Sequence, residues 1–280
     1  MSRWIGKGIA TGVRTTSFPD AQSLGEEGAA SAIRPVWQSL TPVQALAAAD
    51  LCPTAALEAS GTQSKGELRF DAGACILCGR CTREFPAGFT RVADPRVAVR
   101  NRDHLRTTVK WGDGQPLAPA SLREAADQVQ QRAFHLFRRS LHIRHVDAGS
   151  CNGCESELQM MTSPYLDLHR LGLFFTPTPR HADALLVTGI VTQNMKAALL
   201  ETYAAMPAPK LVIAAGACAI SCGSFSSSSM SAGPLDQLLR VDAYVPGCPP
   251  TPQALLHGLL LAVERATERN QAAPDGTHGP

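Results

Sequence analysis

Apolar residues fall into two rhythms along the chain. From about residue 141 onward, short apolar runs at 142–147, 184–188, 211–215 and 243–245 alternate with helical segments at 154–171, 193–206 and 234–239. Short runs spaced by helices predict βαβ units and a parallel sheet. Thr251 and Pro252 then supply a cap and a first helical residue for a last helix reaching about residue 269. Residues 41–100 instead predict short elements broken by turns. Ser121 and Glu124 frame a capping box, and Leu122, Ala125, Ala126, Val129, Ala133 and Leu136 follow at helical spacing. The pattern divides the chain into an arm over 1–40, a turn-rich unit over 41–100 and a connector with a helix over 101–139. An α/β unit over 140–269 and a disordered tail over 270–280 complete it.

Composition narrows the function. The 280 residues are 44% hydrophobic and 18% charged with a net charge of +2, enough apolar material for packed cores and no basic stripe for nucleic acid. The first residues, MSRWIGKGIATGVRTT, hold no long apolar run and predict no secretion signal. The longest apolar stretch, 254–263, is far below the roughly 18 to 20 residues that cross a bilayer. A soluble or peripheral protein in a reducing compartment keeps its thiols free, so nine cysteines point to metal.

Eight of the nine sort into two sets. Cys75, Cys78 and Cys81 stand at successive three-residue steps, a loop able to give one thiolate to each of three irons of a cubane. The next position of a bacterial two-cluster ferredoxin run holds Phe85, followed by Pro86, and Cys52 with Pro53 has the form of the closing pair of another run. Cys52 therefore completes one 4Fe–4S site, and the second site of such a pair is absent. Zinc also accepts four thiolates, but its sites usually show two separated C-x2-C knuckles. Cys151 and Cys154 follow the run ending at Asp147, Cys218 follows the one ending at Ala215, and Cys248 follows the one ending at Val245. In an open parallel sheet those strand ends share one edge, so the four thiols converge there as a second 4Fe–4S site.

The segments VDAGSCNGCESE (146–157), RLGLFFTPTPRHADALLVTG (170–189), KLVIAAGACA (210–219) and YVPGCPPTP (244–252) resemble the small iron–sulfur subunit shared by NiFe hydrogenases and respiratory complex I. The resemblance covers about residues 140–265 and implies a flavodoxin-like parallel sheet whose cluster, on Cys151, Cys154, Cys218 and Cys248, faces a large subunit. Two residues separate the first pair of cysteines, as in hydrogenases, whereas complex I subunits usually carry them adjacent. The chain is most similar to the membrane-bound, formate hydrogenlyase type. Its N-terminal part, from Thr15 and Pro19 through residues 45–90, resembles the separate ferredoxin-like subunit of such complexes, as though two neighbouring subunits were fused.

The resemblance implies an electron-transfer subunit relaying electrons through two 4Fe–4S clusters. Its partners are a hydrogenase or complex I-like large subunit and membrane subunits, with a ferredoxin-type or formate dehydrogenase donor. It would sit peripherally on the cytoplasmic side of the inner membrane. The alternative is the same wire delivering to quinone in a complex I-like NADH:quinone oxidoreductase, and a non-redox assembly scaffold is the competitor of a different class. Glu157 and Glu155 are candidates for passing protons to the large subunit, against a plain helix-dipole role. Cys222 reads as a bystander, His145 and His181 as structural, and residues 226–229 as a loop without a phosphate-binding pattern.

Overall fold

The computed structural model describes residues 10–12, 32–112 and 140–272. The capping box at Ser121 with its helix, the Thr15 motif and the tail beyond residue 272 lie outside them.

In the N-terminal unit, β1 (Ala32–Pro35), α1 (Pro42–Leu51) and β2 (Leu57–Gly61) are followed by β3 (Gly66–Asp71), α2 (Arg80–Glu84) and β4 (Phe89–Val92). The outer strands β1 and β4 pair antiparallel, as do the inner strands β2 and β3. A further strand, β5 (Arg106–Trp111), adds to β3 and buries Thr107, Val109 and Trp111 on alternate positions. The folded unit therefore reaches beyond the span 41–100 at both ends. Pairing, which no local pattern reveals, recruits both flanking strands.

In the C-terminal unit, β6 (Leu141–Asp147), β7 (Leu173–Phe175), β8 (Ala184–Thr188), β9 (Leu211–Ala215) and β10 (Ala243–Val245) form one parallel sheet in the order β10-β9-β8-β6-β7. Counted from β6 this is the 2-1-3-4-5 order of flavodoxin-like folds. All five residues of β8 and of β9 are buried, as expected where helices cover both faces of a parallel sheet. Successive side chains point to opposite faces. Ile143, Leu186 and Ile213 share a core with Leu158 of α3 (Gly153–Met161) and with Leu255, Leu259 and Leu260 of α6 (Pro252–Ala272). Leu185, Val187 and Val212 share the other core with Leu199 of α4 (Gln193–Ala205) and Ile220 of α5 (Ala217–Ser221). Each fully buried Leu or Ile contributes about 1.5–3 kcal/mol relative to exposure.

Three elements differ from the sequence expectation. Four strands were expected and five form, because Leu173–Phe175 pairs with Leu141–Ile143 as an edge too short to stand out as a run. The helix expected over 154–171 stops at Met161 and resumes only as a 3-10 turn at Leu168–Leu171, with Pro164 lying between them. The segment expected to be helical at 234–239 is a single 3-10 turn, Leu235–Gln237.

The units pack together. Val99 and Tyr244 exchange backbone hydrogen bonds of 3.0 and 2.8 Å, and the Ala98 N–H donates to His257 Nδ1 at 3.3 Å. Among the described residues no helix is long and apolar enough to cross a membrane.

His257 is 5% exposed, and burial pushes its pKa from 6.5 down to about 4. The unfolded chain takes up this proton near pH 6.5 while the folded chain resists it, so the neutral imidazole's contribution is complete above pH 6.5 and is lost as pH falls toward 4. Relative to His257→Leu, the wild type is expected to lose about 2 kcal/mol of stability between pH 7 and pH 5. Urea unfolding of both proteins at both pH values measures it, and a constant difference would contradict the burial argument.

Candidate metal centres

The first sulfur set is delivered by α1 and by the turn before α2. Thr41 and Gln44 form a reciprocal capping box with Pro42 at the first helical position, which fixes where α1 starts. Cys52 then follows its last turn, its N–H donating to the Ala49 carbonyl at 3.1 Å. Cys75 and Cys78 lie between β3 and α2, and Cys81 in the first turn of α2. All four cysteines line one small cavity, walled otherwise largely by apolar side chains including Ile33, Ala48, Leu57 and Phe70. Burial, reinforced by the neighbouring thiols, pushes Cys75 up to about 12 and raises Cys81 as well. Cys78 is exposed. Beside it, Arg83 Nη1 donates to the Cys78 carbonyl at 3.2 Å and Arg91 Nη2 to the Leu77 carbonyl at 3.3 Å. Phe85 sits in the place of a further cysteine and packs against the apolar core of this unit.

The second set follows from sheet register. Asp147 is level with Thr188, Thr188 with Ala215, and Ala215 with Val245, so the four strand ends form one row. After β6, the Asp147 carboxylate accepts from the N–H groups of Gly149 and Ser150 at 2.9 and 2.8 Å, curling the chain toward Cys151. Asn152 takes the left-handed conformation at the cap of α3, a state Asn tolerates, and places Cys154 in the first turn. After β9, the Gly216 N–H donates to the Val245 carbonyl at 2.9 Å and the Ala217 N–H to the Gly247 carbonyl at 2.8 Å. These bonds tie the Cys218 loop to the Cys248 loop. Gly216 has φ +88°, and a Cβ there would stand 2.9 Å from Cys154 Sγ. The backbone thus makes a cradle that only glycine leaves open.

Burial raises Cys154 to about 12, with Glu155 and then Cys218, Cys248 and Cys151 adding to it. Cys218 is raised to about 11 by burial, then by Cys248 and Cys151. Cys248 is raised too, while Cys151 and Cys248 face solvent. Soft thiolate sets of this kind suit iron–sulfur clusters or zinc. Among the described residues no three His, Cys, Asp or Glu side chains converge closely enough to hold a single metal ion. That bears on a mononuclear ion; a cubane spreads its four thiolates over four irons.

Glu155 accepts from Ser150 Oγ at 2.7 Å and from Thr188 Oγ1, with His145 Nε2 3.7 Å from the carboxylate and 2.8 Å from the Thr188 hydroxyl. Burial lowers the His145 pKa. Glu157 lies two residues further along α3, and its carboxyl is raised by desolvation. Cys222 is buried and accepts from Ser231 Oγ at 3.3 Å. His181 ends a 3-10 turn and is itself exposed. The partners Ser150 and Thr188 were missed in the sequence; Thr188 closes the second apolar run, the position from which a side chain reaches the shared edge.

The sequence profile of the family described as NADH ubiquinone oxidoreductase, 20 Kd subunit, matches residues 151–262, a span holding all four cysteines of the second set. Formate hydrogenlyase subunit 7 of Escherichia coli is 38% identical over 158 residues, which are 56% of this chain and 62% of that one. The chain therefore spans less than two thirds of that relative. The probable membrane-bound hydrogenase subunit mbhJ of Pyrococcus furiosus is 46% identical over 127 residues, 45% of this chain and 76% of that one. The B subunit of the NADH-quinone oxidoreductase of Citrifermentans bemidjiense is 44% identical over 118 residues, 42% of this chain and 69% of that one. With the 2-1-3-4-5 sheet, the thiols gathered at its edge and these relatives together, the chain belongs to the family of the 20 kDa subunit of NADH ubiquinone oxidoreductase, a family it shares with hydrogenase subunits.

Proposed function

We propose that the protein is the electron-transfer subunit of a membrane-associated NiFe hydrogenase complex of the formate hydrogenlyase type. In this reading Cys52, Cys75, Cys78 and Cys81 hold one 4Fe–4S cluster in a ferredoxin-like unit, and Cys151, Cys154, Cys218 and Cys248 hold a second. The observation that carries it is the presence of two separate four-thiol sets in one packed body, each with a buried side and a solvent-facing side. When bound, such clusters accept and release single electrons. The rest is the work of the chain. The thiols must give up their protons to bind iron, so loading releases protons. The apolar wall around the first set shields its buried sulfurs, Cys75 above all, and leaves Cys78 at the surface, and the glycine-lined edge brings backbone close to the second set.

Exposed Cys78, flanked by Arg83 and Arg91, supports an entry point for an anionic redox donor. Exposed Cys151 and Cys248 support contact with a large subunit. We place it peripherally on the cytoplasmic side of the inner membrane, held by membrane subunits; the name of the Pyrococcus furiosus relative, a probable membrane-bound hydrogenase subunit, supports the membrane association.

Iron and sulfide analysis of the anaerobically purified chain, with EPR on reduction, tests the reading: about eight irons and two reducible signals are expected. A colourless, zinc-loaded preparation would overturn it and favour a structural scaffold. The similarity to the B subunit of NADH-quinone oxidoreductase supports delivery to quinone as the second reading. Nickel content and hydrogen-dependent reduction of the whole complex separate the two, since the quinone reading requires neither.

Glu157 is the better placed of the two carboxylates for proton passage, because Glu155 is already held by Ser150 and Thr188. Glu157→Gln is expected to slow proton-dependent turnover of the assembled complex about 100-fold with iron content unchanged. Unaltered turnover would remove Glu157 from the path.

A further inference from the structure

Both cysteine loops are anchored in a single seam between the units. On one side, the segment leading to Cys75 is held from several directions. Asp71 receives Arg102 through Nη1 at 2.8 Å and Nη2 at 2.5 Å, and Arg102 is only 9% exposed. The same carboxylate accepts the Gly73 N–H at 2.8 Å, and the Ala72 N–H donates to the Leu105 carbonyl at 2.8 Å. Ala72 packs against the apolar cores of both units. On the other side is α5, which carries Cys218. Its last residue, Ser221, has one hydroxyl proton within reach of two carbonyls, Gly73 at 3.1 Å across the seam and Ala217 at 3.0 Å within the helix. The Ile220 side chain lies over Gly73 so closely that a Cβ there would stand 2.8 Å from Ile220 Cγ2 and 2.9 Å from Arg102 Nη1.

Gly73 is two residues from Cys75, and Ser221 is three from Cys218. The contacts of Val99 with Tyr244 and of Ala98 with His257 lie on β10 and α6 rather than on a cysteine loop. We infer that Gly73, Ile220 and Ser221 are positioning residues that set the separation of the two cysteine sets and form the contact through which they couple. This rests on the two-cluster reading above. It adds to it that coupling is a property of this chain's own fold, independent of any partner. A route of two residues, one shared hydrogen bond and one turn of helix joins the sets. The Asp71–Arg102 pair keeps Gly73 pressed against α5: Arg102, only 9% exposed, would lose its carboxylate partner if Asp71 were removed, while Asp71 is also met by Arg106 Nε at 3.4 Å.

The test uses the full chain, reconstituted anaerobically with iron and sulfide. Pulsed EPR of the reduced form reads magnetic coupling between the two signals, and flash reduction reads electron transfer between them. Ser221→Ala removes the hydroxyl without adding bulk, Gly73→Val wedges the seam apart, and Ser221→Thr keeps the hydroxyl. With about eight irons retained, Ser221→Ala and Gly73→Val are expected to weaken the coupling and slow transfer about tenfold, and Ser221→Thr to restore both. Where Gly73→Val sheds iron, Ser221→Ala decides. Two clusters whose coupling and transfer rate are the same in wild type and Ser221→Ala overturn this inference alone. A wild-type chain with one cluster overturns the two-cluster reading and this inference with it.

Discussion

Replacing Cys52 and Cys248 one at a time is expected to remove two different clusters. Cys52 shares an apolar cavity with Cys75, Cys78 and Cys81, and no cysteine of the second set lines that cavity. Cys248 instead interacts with Cys151, Cys154 and Cys218 at the sheet edge. Cys52→Ser and Cys248→Ser should therefore each lower the iron content from about eight to about four per chain. Each should abolish one EPR component and spare the other. A structural cluster also contributes folding energy to the unit that binds it. Each variant should consequently lose thermal stability chiefly in its own unit, visible as a separate early transition. If both substitutions abolished the same component, the division of the eight cysteines would be wrong.

Gly216→Val is expected to match Cys248→Ser without touching a cysteine. The residue sits at φ +88°, where a side chain is strained, and its Cβ would meet Cys154 Sγ at 2.9 Å with the Gly247 carbonyl at 3.7 Å. The conformational strain alone costs about 1–2 kcal/mol, and the clash displaces a thiol. Gly153 makes the control. It too lies beside a thiol, but a Cβ there would stand 3.5 Å from Cys151 Sγ, ordinary contact, and its φ is not positive. Gly153→Ala should keep both clusters, whereas Gly216→Val should lose the second and keep the first. Iron analysis with EPR reads both, and full retention in Gly216→Val would show that the cradle does not constrain the thiols.

Local pattern was enough for much of this molecule. The runs that became β8, β9 and β10 are visible because a strand buried on both faces has few polar positions to interrupt it, whereas β6, with His142, Arg144, His145 and Asp147 among its seven residues, buries only Ile143 and Val146. The start of the last helix is equally local: Thr251 caps α6, its Oγ1 accepting the Ala254 N–H at 3.3 Å, with Pro252 at the first helical position. Thr41, Pro42 and Gln44 carry the same signal for α1, and it passes unnoticed among the turns of that region. The edge strand β7 is hidden for a different reason. Three residues at a sheet edge carry too little periodicity, and only pairing with Leu141–Ile143 makes them a strand. Likewise β1 and β5 become strands through partners at distant positions, Phe89–Val92 and Gly66–Asp71.

The sequence by itself singled out the candidate cysteines and proposed their division into two sets, because cysteine spacing and the strand-loop-cysteine pattern are properties of short segments. Only the tertiary structure decided how the pieces meet. It showed Cys52 closing a cavity with a loop beyond β3, Glu155 already engaged by Ser150 and Thr188, and Gly73 pressed against Ile220 and Ser221. Most of these contacts join residues tens to more than a hundred positions apart. They depend on sheet register and on packing between two cores, and neither leaves a signature in the neighbouring residues of the chain.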